Sequence, residues 1–156
     1  MKVRTDFVTN SSSSSFILVF NNREEMRNSM KKVGEQYGAN VEEVLIGDVI
    51  KGKVDRRKAE GLLRNYYRRE AKYRFIYGTK DWIKLSTEEF YAKHNTVNEK
   101  MREYVEKSVA DTMAKLPKRG YISVVEYSDN NGLFFSEMEH YIVPKLPFTV
   151  LSMSHH

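Results

Sequence analysis

The hydrophobic positions of the chain follow two different periods, and the changes of period predict where strands and helices lie. Residues 16–20, "FILVF", form a short apolar run between polar residues, which is typical of a fully buried strand. Near the other end, "GYISVVEYS" (120–128) is rich in β-branched and aromatic residues, and "PFTVLSMSHH" (147–156) has the same character. The pattern predicts strands at both ends of the chain.

Between these strands the apolar positions recur every three or four residues, as they do on one face of a helix. Asn22, with Glu25 three residues later, predicts the start of the first helix. Asp55 can cap a helix that runs to about residue 74. The segment "VEEVLIGDVIKG" (41–52) fits either a short helix or a strand.

Two more helices are predicted before the last third of the chain. "STEEF" (86–90) has the sequence of a capping box that opens a short helix. A longer helix follows over 97–116, and Pro117 ends it. "DNNG" (129–132) then favours a type I′ hairpin turn, and "SEMEHYIVP" (136–144) predicts a short helix capped by Ser136 and Glu139.

These elements predict a single α+β domain over residues 1–156. Its sheet is small and mostly antiparallel, and N- and C-terminal strands pack in it against central helices. The terminal strands should pair, because an isolated strand would leave its backbone groups without hydrogen bonds. If they pair antiparallel, the start of the first strand lies beside the end of the last.

Composition and charge narrow the class of protein. The chain has 156 residues, 40% of them hydrophobic and 30% charged, which is globular composition. It contains no cysteine, so disulfides and thiolate metal sites are excluded. The longest clear apolar run has five residues, and the N-terminus lacks the apolar core of a signal peptide. We therefore expect a cytoplasmic protein with no membrane segment.

The serine run, with Ser11, Ser12, Ser13, Ser14 and Ser15, is the first candidate site. Such a run can be a solvated loop. It can also be an anion cradle, in which hydroxyl and backbone N–H groups bind one phosphate. One serine could instead be a nucleophile activated by histidine.

The C-terminal acids and histidines are the second candidate site. Glu139, His140, His155 and His156 could supply acid/base groups, and His140 and His155 could ligate a divalent metal ion. Glu137 and His140 would share a face of a helix, whereas Glu137 and Glu139 would share a face of a strand. The final histidines could equally fray, or be the remnant of a purification tag.

The net charge of +5 is concentrated in one segment. Residues 51–74 contain ten basic and three acidic residues, a net charge of +7, so the remainder of the chain is −2. The basic residues interleave with Tyr66, Tyr67 and Tyr73, a combination that can bind nucleic acid. It can equally be a solvated helix face with tyrosines in the core. The candidate nucleic-acid contacts are Arg56, Arg57, Arg64, Arg68 and Arg69.

Both ends of the chain resemble those of a group of small uncharacterised proteins from bacteria, mainly Gram-positives, and their phages. The resemblance rests on "DFVTNSSSSSFI" (6–17) and on "EH" (139–140) followed by the ending "SHH". It implies that the serine run and the two final histidines are native parts of one unit. It implies no activity.

Two functional hypotheses follow. In the first, the chain is a small enzyme or ligand-binding domain for a phosphate-bearing or other anionic ligand, with a site made from the serine run and the C-terminal Glu/His cluster. In the second, it is a non-catalytic module that binds nucleic acid or, if phage-encoded, a host protein through the basic 51–74 helix. A divalent metal is compatible with the first.

Overall fold

The sheet is built mainly from the two ends of the chain. The computed structural model describes residues 12–77 and 84–155, without the side chains of residues 76–77 and 93–96. Within them lie β1 (Ser13–Phe20), β2 (Lys53–Val54), β3 (Tyr121–Ser128) and β4 (Thr149–His155). The strand order is β2-β3-β1-β4, and every neighbouring pair is antiparallel. The predicted α+β class is confirmed.

Helices fill most of the remaining described chain. They are α1 (Arg23–Tyr37), α2 (Ala39–Lys51), α3 (Arg56–Lys72), α4 (Thr87–Lys115) and α5 (Leu133–Glu137). A π-helical turn over Tyr73–Tyr77 extends α3. A second π-helical turn, Met138–Ile142, and a 3-10 turn, Val143–Lys145, extend α5.

The predicted helix starts at Asn22, Asp55 and Ser86 are confirmed. Each of these side chains accepts a hydrogen bond from the backbone N–H three residues later. Ser86 and Glu89 also complete the reciprocal bond of a capping box. Such caps stabilise a helix by about 1 kcal/mol each, because they satisfy N–H groups that the helix itself leaves unpaired.

The helices cover both faces of the sheet, so the fold has three layers. Successive side chains of a strand point to opposite faces. Phe16 and Leu18 therefore pack with α1, α2 and the segment 133–146, whereas Ile17 packs with α3 and α4. All three side chains are at most 1% exposed, and burying each contributes roughly 1.5–3 kcal/mol.

The prediction of a hairpin at "DNNG" is wrong. Residues Asp129–Asn131 form a 3-10 turn that leads into α5, and β1 lies between β3 and β4. The apolar side chains of α5 explain this, since Phe135 stacks on Tyr127 with ring centroids 6.3 Å apart. Burial of aromatic rings outweighs a local turn preference. Ser136 lies inside α5, where its N–H donates to the Gly132 carbonyl, so it caps no helix.

The predicted short helix at "STEEF" and the longer helix after it are one helix, α4. Its end matches the prediction, because Leu116, the residue before Pro117, is extended. The ambiguous segment 41–52 lies almost wholly within α2.

Candidate metal centre

The serine run is a strand start, not the predicted loop. Ser13, Ser14 and Ser15 belong to β1, and Ser12 directly precedes it, while Ser11 lies outside the described residues. Because side chains alternate along a strand, Ser14 points to one face of the sheet and Ser15 to the other. Ser12 lies on the side of Ser14. The run therefore contributes hydroxyls to two separate polar clusters.

The register of β1 brings the two ends of the chain together, as predicted. Ser13 is paired with His155 of β4 on one side and with Ser128 of β3 on the other. The pairing with Ser128 also places Ser12 beside Asp129, whose N–H donates to the Ser12 carbonyl at 3.4 Å. His156 lies outside the described residues.

The first cluster, the carboxylate–imidazole cluster, consists of Asp129, Glu139 and His140 around the Ser12 hydroxyl. Ser12 Oγ lies 3.0 Å from Asp129 Oδ2, 3.2 Å from Glu139 Oε2 and 3.4 Å from His140 Nε2. His140 Nε2 and Glu139 Oε2 are 3.5 Å apart. The other Glu139 oxygen, Oε1, accepts a hydrogen bond from Ser14 at 2.9 Å.

Hydrogen bonds within the described residues cannot satisfy this cluster. Ser12 has one hydroxyl proton, which it can donate to only one of its three neighbours. Asp129 Oδ1 is also buried and has no hydrogen-bond partner among the described residues. Glu139 is 2% exposed, yet no described lysine or arginine lies within 4.0 Å of its carboxylate or that of Asp129. Two carboxylates therefore meet at one point without a fixed cation.

The same geometry does not support Ser12 as a nucleophile of the Ser-His-acid type. In that arrangement the serine contacts one imidazole nitrogen and the acid contacts the other. Here Ser12 and Glu139 both lie against Nε2 of His140. Acceptor atoms that converge on one point are what a bound cation requires.

The neighbouring residues Glu139 and His140 both lie in the π-helical turn Met138–Ile142. Both side chains contact Ser12 Oγ, and π-helical turns are frequent at functional sites. Glu137, which the sequence could have paired with His140, is exposed on α5. Asp129 was missed because "DNNG" was interpreted only as a turn.

The second cluster, the His155 cluster, lies on the opposite face of the sheet. His155 Nε2 is 2.9 Å from Ser15 Oγ, and Ser15 donates to Glu126 Oε2 at 3.1 Å. Arg69 Nη2 lies 2.8 Å from His155 Nδ1. Because arginine can only donate, Nδ1 accepts and the ring proton is on Nε2, directed at Ser15. His155 therefore cannot accept the Ser15 proton in this arrangement.

The described serine hydroxyls near the site face carboxylates. Ser12, Ser14 and Ser15 all contact Asp or Glu oxygens. An unassisted phosphate placed there would meet their negative charge, so these hydroxyls do not form a cradle for a free anion. The anionic ligand predicted from the sequence stays a prediction.

The five arginines proposed for nucleic-acid binding have different surroundings. Arg56 donates to the carbonyls of Met113, Leu116 and Pro117 at the end of α4, at 2.6–3.2 Å. Arg64 pairs with Glu60 and Glu106, and Arg69 contacts His155. Of the five, Arg57 and Arg68 are exposed with no ion pair to a described residue.

The tyrosines that interleave with the basic residues also differ in their surroundings. Tyr66 and Tyr67 are half-buried in the layer of α3 and α4, and Tyr67 shares a 2.8 Å hydrogen bond with Thr112. Tyr73 is 70% exposed. Tyr66 and Tyr67 therefore fit the interpretation that the tyrosines belong to the core, whereas Tyr73 does not.

Comparison with protein-family models, with curated proteins and with solved structures found no match. The resemblance of the two chain ends to a group of bacterial and phage proteins stays a prediction. No helix in the described part of the chain is long and apolar enough to cross a membrane. The geometry of the two clusters is therefore the basis for inferring a function.

Proposed function

We propose that the carboxylate–imidazole cluster binds a divalent first-row metal ion, and that the ion binds an anionic ligand on its open side. Asp129, Glu139 and His140 each offer one ligand atom, and these atoms lie within 4.8 Å of one another. Ligands about 2.1 Å from a tetrahedral zinc ion lie about 3.4 Å apart. The 3.5 Å between Glu139 and His140 has this scale.

The observation that carries the proposal is the buried carboxylate of Glu139. Burying a charge is costly unless a partner of opposite charge compensates it. Its neighbours are a second carboxylate, an imidazole and two serine hydroxyls. A divalent cation would neutralise both acids and would use the lone pairs that one Ser12 proton cannot satisfy. A mixed imidazole and carboxylate set suits Zn²⁺ or Mn²⁺.

The open side of the cluster supports a ligand-binding rather than a purely structural metal. The His140 side chain is 44% exposed, whereas that of Glu139 is 1% exposed. Three protein ligands with a solvent-accessible position are typical of sites that bind water or substrate. Such an ion attracts phosphate or carboxylate oxygens and lowers the pKa of bound water, so hydrolysis of a phosphate or acyl group is the reaction this site would support.

Isothermal titration calorimetry with Zn²⁺ and Mn²⁺, on protein first treated with EDTA, tests the proposal. We expect one ion per chain in the wild type and binding at least about tenfold weaker in Glu139→Gln and Asp129→Asn, because each loses a charged ligand. Glu137→Gln is the matched control, since it changes an exposed acid two residues away. Inorganic phosphate should bind more tightly to the metal-loaded protein than to the EDTA-treated protein, and Glu139→Gln should remove this difference.

The C-terminal histidines provide the decisive check on location. His155→Gln should leave the affinity for the metal unchanged if the ion lies in the carboxylate–imidazole cluster. Equal metal affinity in wild type and Glu139→Gln, or loss of binding in His155→Gln alone, would place the ion elsewhere and refute the proposal.

A further inference from the structure

We propose that the groove between α3 and α4 binds a chain of phosphate groups, a function separate from the metal centre. The groove has a volume of about 340 Å³. Its polar lining comes from residues one helical turn apart on each helix, and two apolar residues of α4 also line it. The lining residues used here are Arg68, Lys72, Asn98, Met101, Arg102 and Val105.

Three cations of the groove have no ion pair among the described residues. Within these residues, Arg68, Lys72 and Arg102 form no ion pair within 4.0 Å. Of the described residues that line the groove, Glu106 is the one acid, and it pairs with Arg64. Like charges gathered on one surface repel each other, and an anion that binds among them removes that cost.

The arrangement of the cations favours an elongated anion. Arg68 and Lys72 are one turn apart on α3, a rise of about 6 Å along the helix, and Arg102 faces them from α4. Guanidinium groups bind phosphate oxygens in pairs, and a lysine adds a point charge. Successive phosphates along a linear ligand can therefore contact successive cations. This site uses fewer residues than the whole basic helix. It includes Lys72 and Arg102, which are not among the nucleic-acid contacts predicted from the sequence.

Fluorescence anisotropy with a labelled 20-nucleotide oligothymidylate at low salt tests the proposal, with inorganic polyphosphate and polyglutamate as competitors. The groove variant carries Arg68→Gln, Lys72→Gln and Arg102→Gln. The matched control carries Arg23→Gln, Arg27→Gln and Lys31→Gln, which remove the same charge from exposed positions of α1, on the other side of the sheet. Glutamine keeps a high helix propensity, so both variants should fold, and circular dichroism checks this.

We expect the groove variant to bind the oligonucleotide about tenfold more weakly than the control. The slope of log K against log salt concentration should also be smaller by about 2, because each phosphate contact of a single strand contributes about 0.7 to it. Direct binding of inorganic polyphosphate in isothermal titration calorimetry, weakened in the groove variant but not in the control, also supports the proposal where the oligonucleotide does not bind, and it identifies free polyphosphate as the ligand. Equal weakening in both variants, binding of neither phosphate ligand, or equal competition by polyglutamate overturns it.

Discussion

Replacing Glu139 by glutamine should make the metal-free protein more stable and should weaken metal binding. The glutamate side chain is 1% exposed, and one of its carboxylate oxygens lies within 4.8 Å of a carboxylate oxygen of Asp129. Two unit charges at 4.8 Å repel by about 3.5 kcal/mol at an effective dielectric constant of 20. Because Asp129 is partly exposed, solvent screening reduces the gain to about 2 kcal/mol.

Glutamine can keep most of the hydrogen bonds of the site. Its carbonyl oxygen can accept from Ser14 as Glu139 Oε1 does, and its amide can donate to the oxygens of Ser12 or Asp129. The substitution therefore removes the repulsion between the two carboxylates without an equal loss of hydrogen bonds. For a chain of 156 residues, about 2 kcal/mol corresponds to a rise in Tm of roughly 4–8 °C.

Thermal unfolding followed by circular dichroism, once in EDTA and once in excess Zn²⁺, measures both effects. In EDTA the Glu139→Gln variant should melt above the wild type. A ligand present at 100 times its Kd stabilises the native state by about 2.7 kcal/mol, so Zn²⁺ should raise the Tm of the wild type and should raise that of the variant much less. Glu137→Gln should follow the wild type in both buffers.

A lower Tm of Glu139→Gln in EDTA would refute this reasoning. It would mean that the Glu139 carboxylate stabilises the fold through its serine hydrogen bonds by more than its repulsion with Asp129 costs. The burial of Glu139 beside Asp129 could then not be taken as a sign of a missing cation.

Three further predictions concern the scaffold. Arg56→Gln should lower the free energy of unfolding by about 2 kcal/mol in urea titrations, because charged donors leave the carbonyls at the end of α4, whereas Arg57→Gln should change it by less than about 0.5 kcal/mol. Burial raises the pKa of Tyr66 to about 12, so the folded protein keeps the phenol proton in a pH range where the unfolded chain loses it. The contribution of this proton to the free energy of unfolding is complete below pH 10 and is lost as the pH rises towards 12, and Tyr66→Phe should flatten the pH dependence of Tm in that window. Gly52→Ala should lower the free energy of unfolding by at least about 1 kcal/mol, because the added Cβ would clash with the Val124 carbonyl oxygen of β3. Gly61→Ala, in open space on α3, should raise it by up to about 1 kcal/mol in the same titrations.

Local patterns predicted the helix starts and the strands near the two ends of the chain well, because the relevant interactions are short in sequence. A cap joins residues three apart, and a strand pattern is visible within eight residues. The meeting of Ser13 and His155 was predictable for a different reason, since an antiparallel pair of terminal strands permits only one arrangement of its ends.

The partners of the candidate sites were harder to predict because they come from segments whose local patterns suggested other roles. Asp129 belongs to a turn sequence, and it joins the carboxylate–imidazole cluster only because β3 pairs with the start of β1. Arg69 belongs to the basic helix, yet it fixes the ring of His155. The π-helical turn that contains Glu139 and His140 has no signal in the sequence pattern.

The serine run makes physical sense as the place where a strand must be polar and small on both faces. On one face, Ser12 and Ser14 lie against Glu139, and on the other Ser15 lies between Glu126 and His155. A larger apolar residue at Ser12 or Ser14 would leave the buried Glu139 carboxylate with fewer donors, which is costly. A serine supplies one proton and occupies little volume. The carboxylate–imidazole cluster therefore has more acceptor atoms than hydroxyl protons. The acceptor atoms that receive no proton lie around the point where the proposed cation would bind.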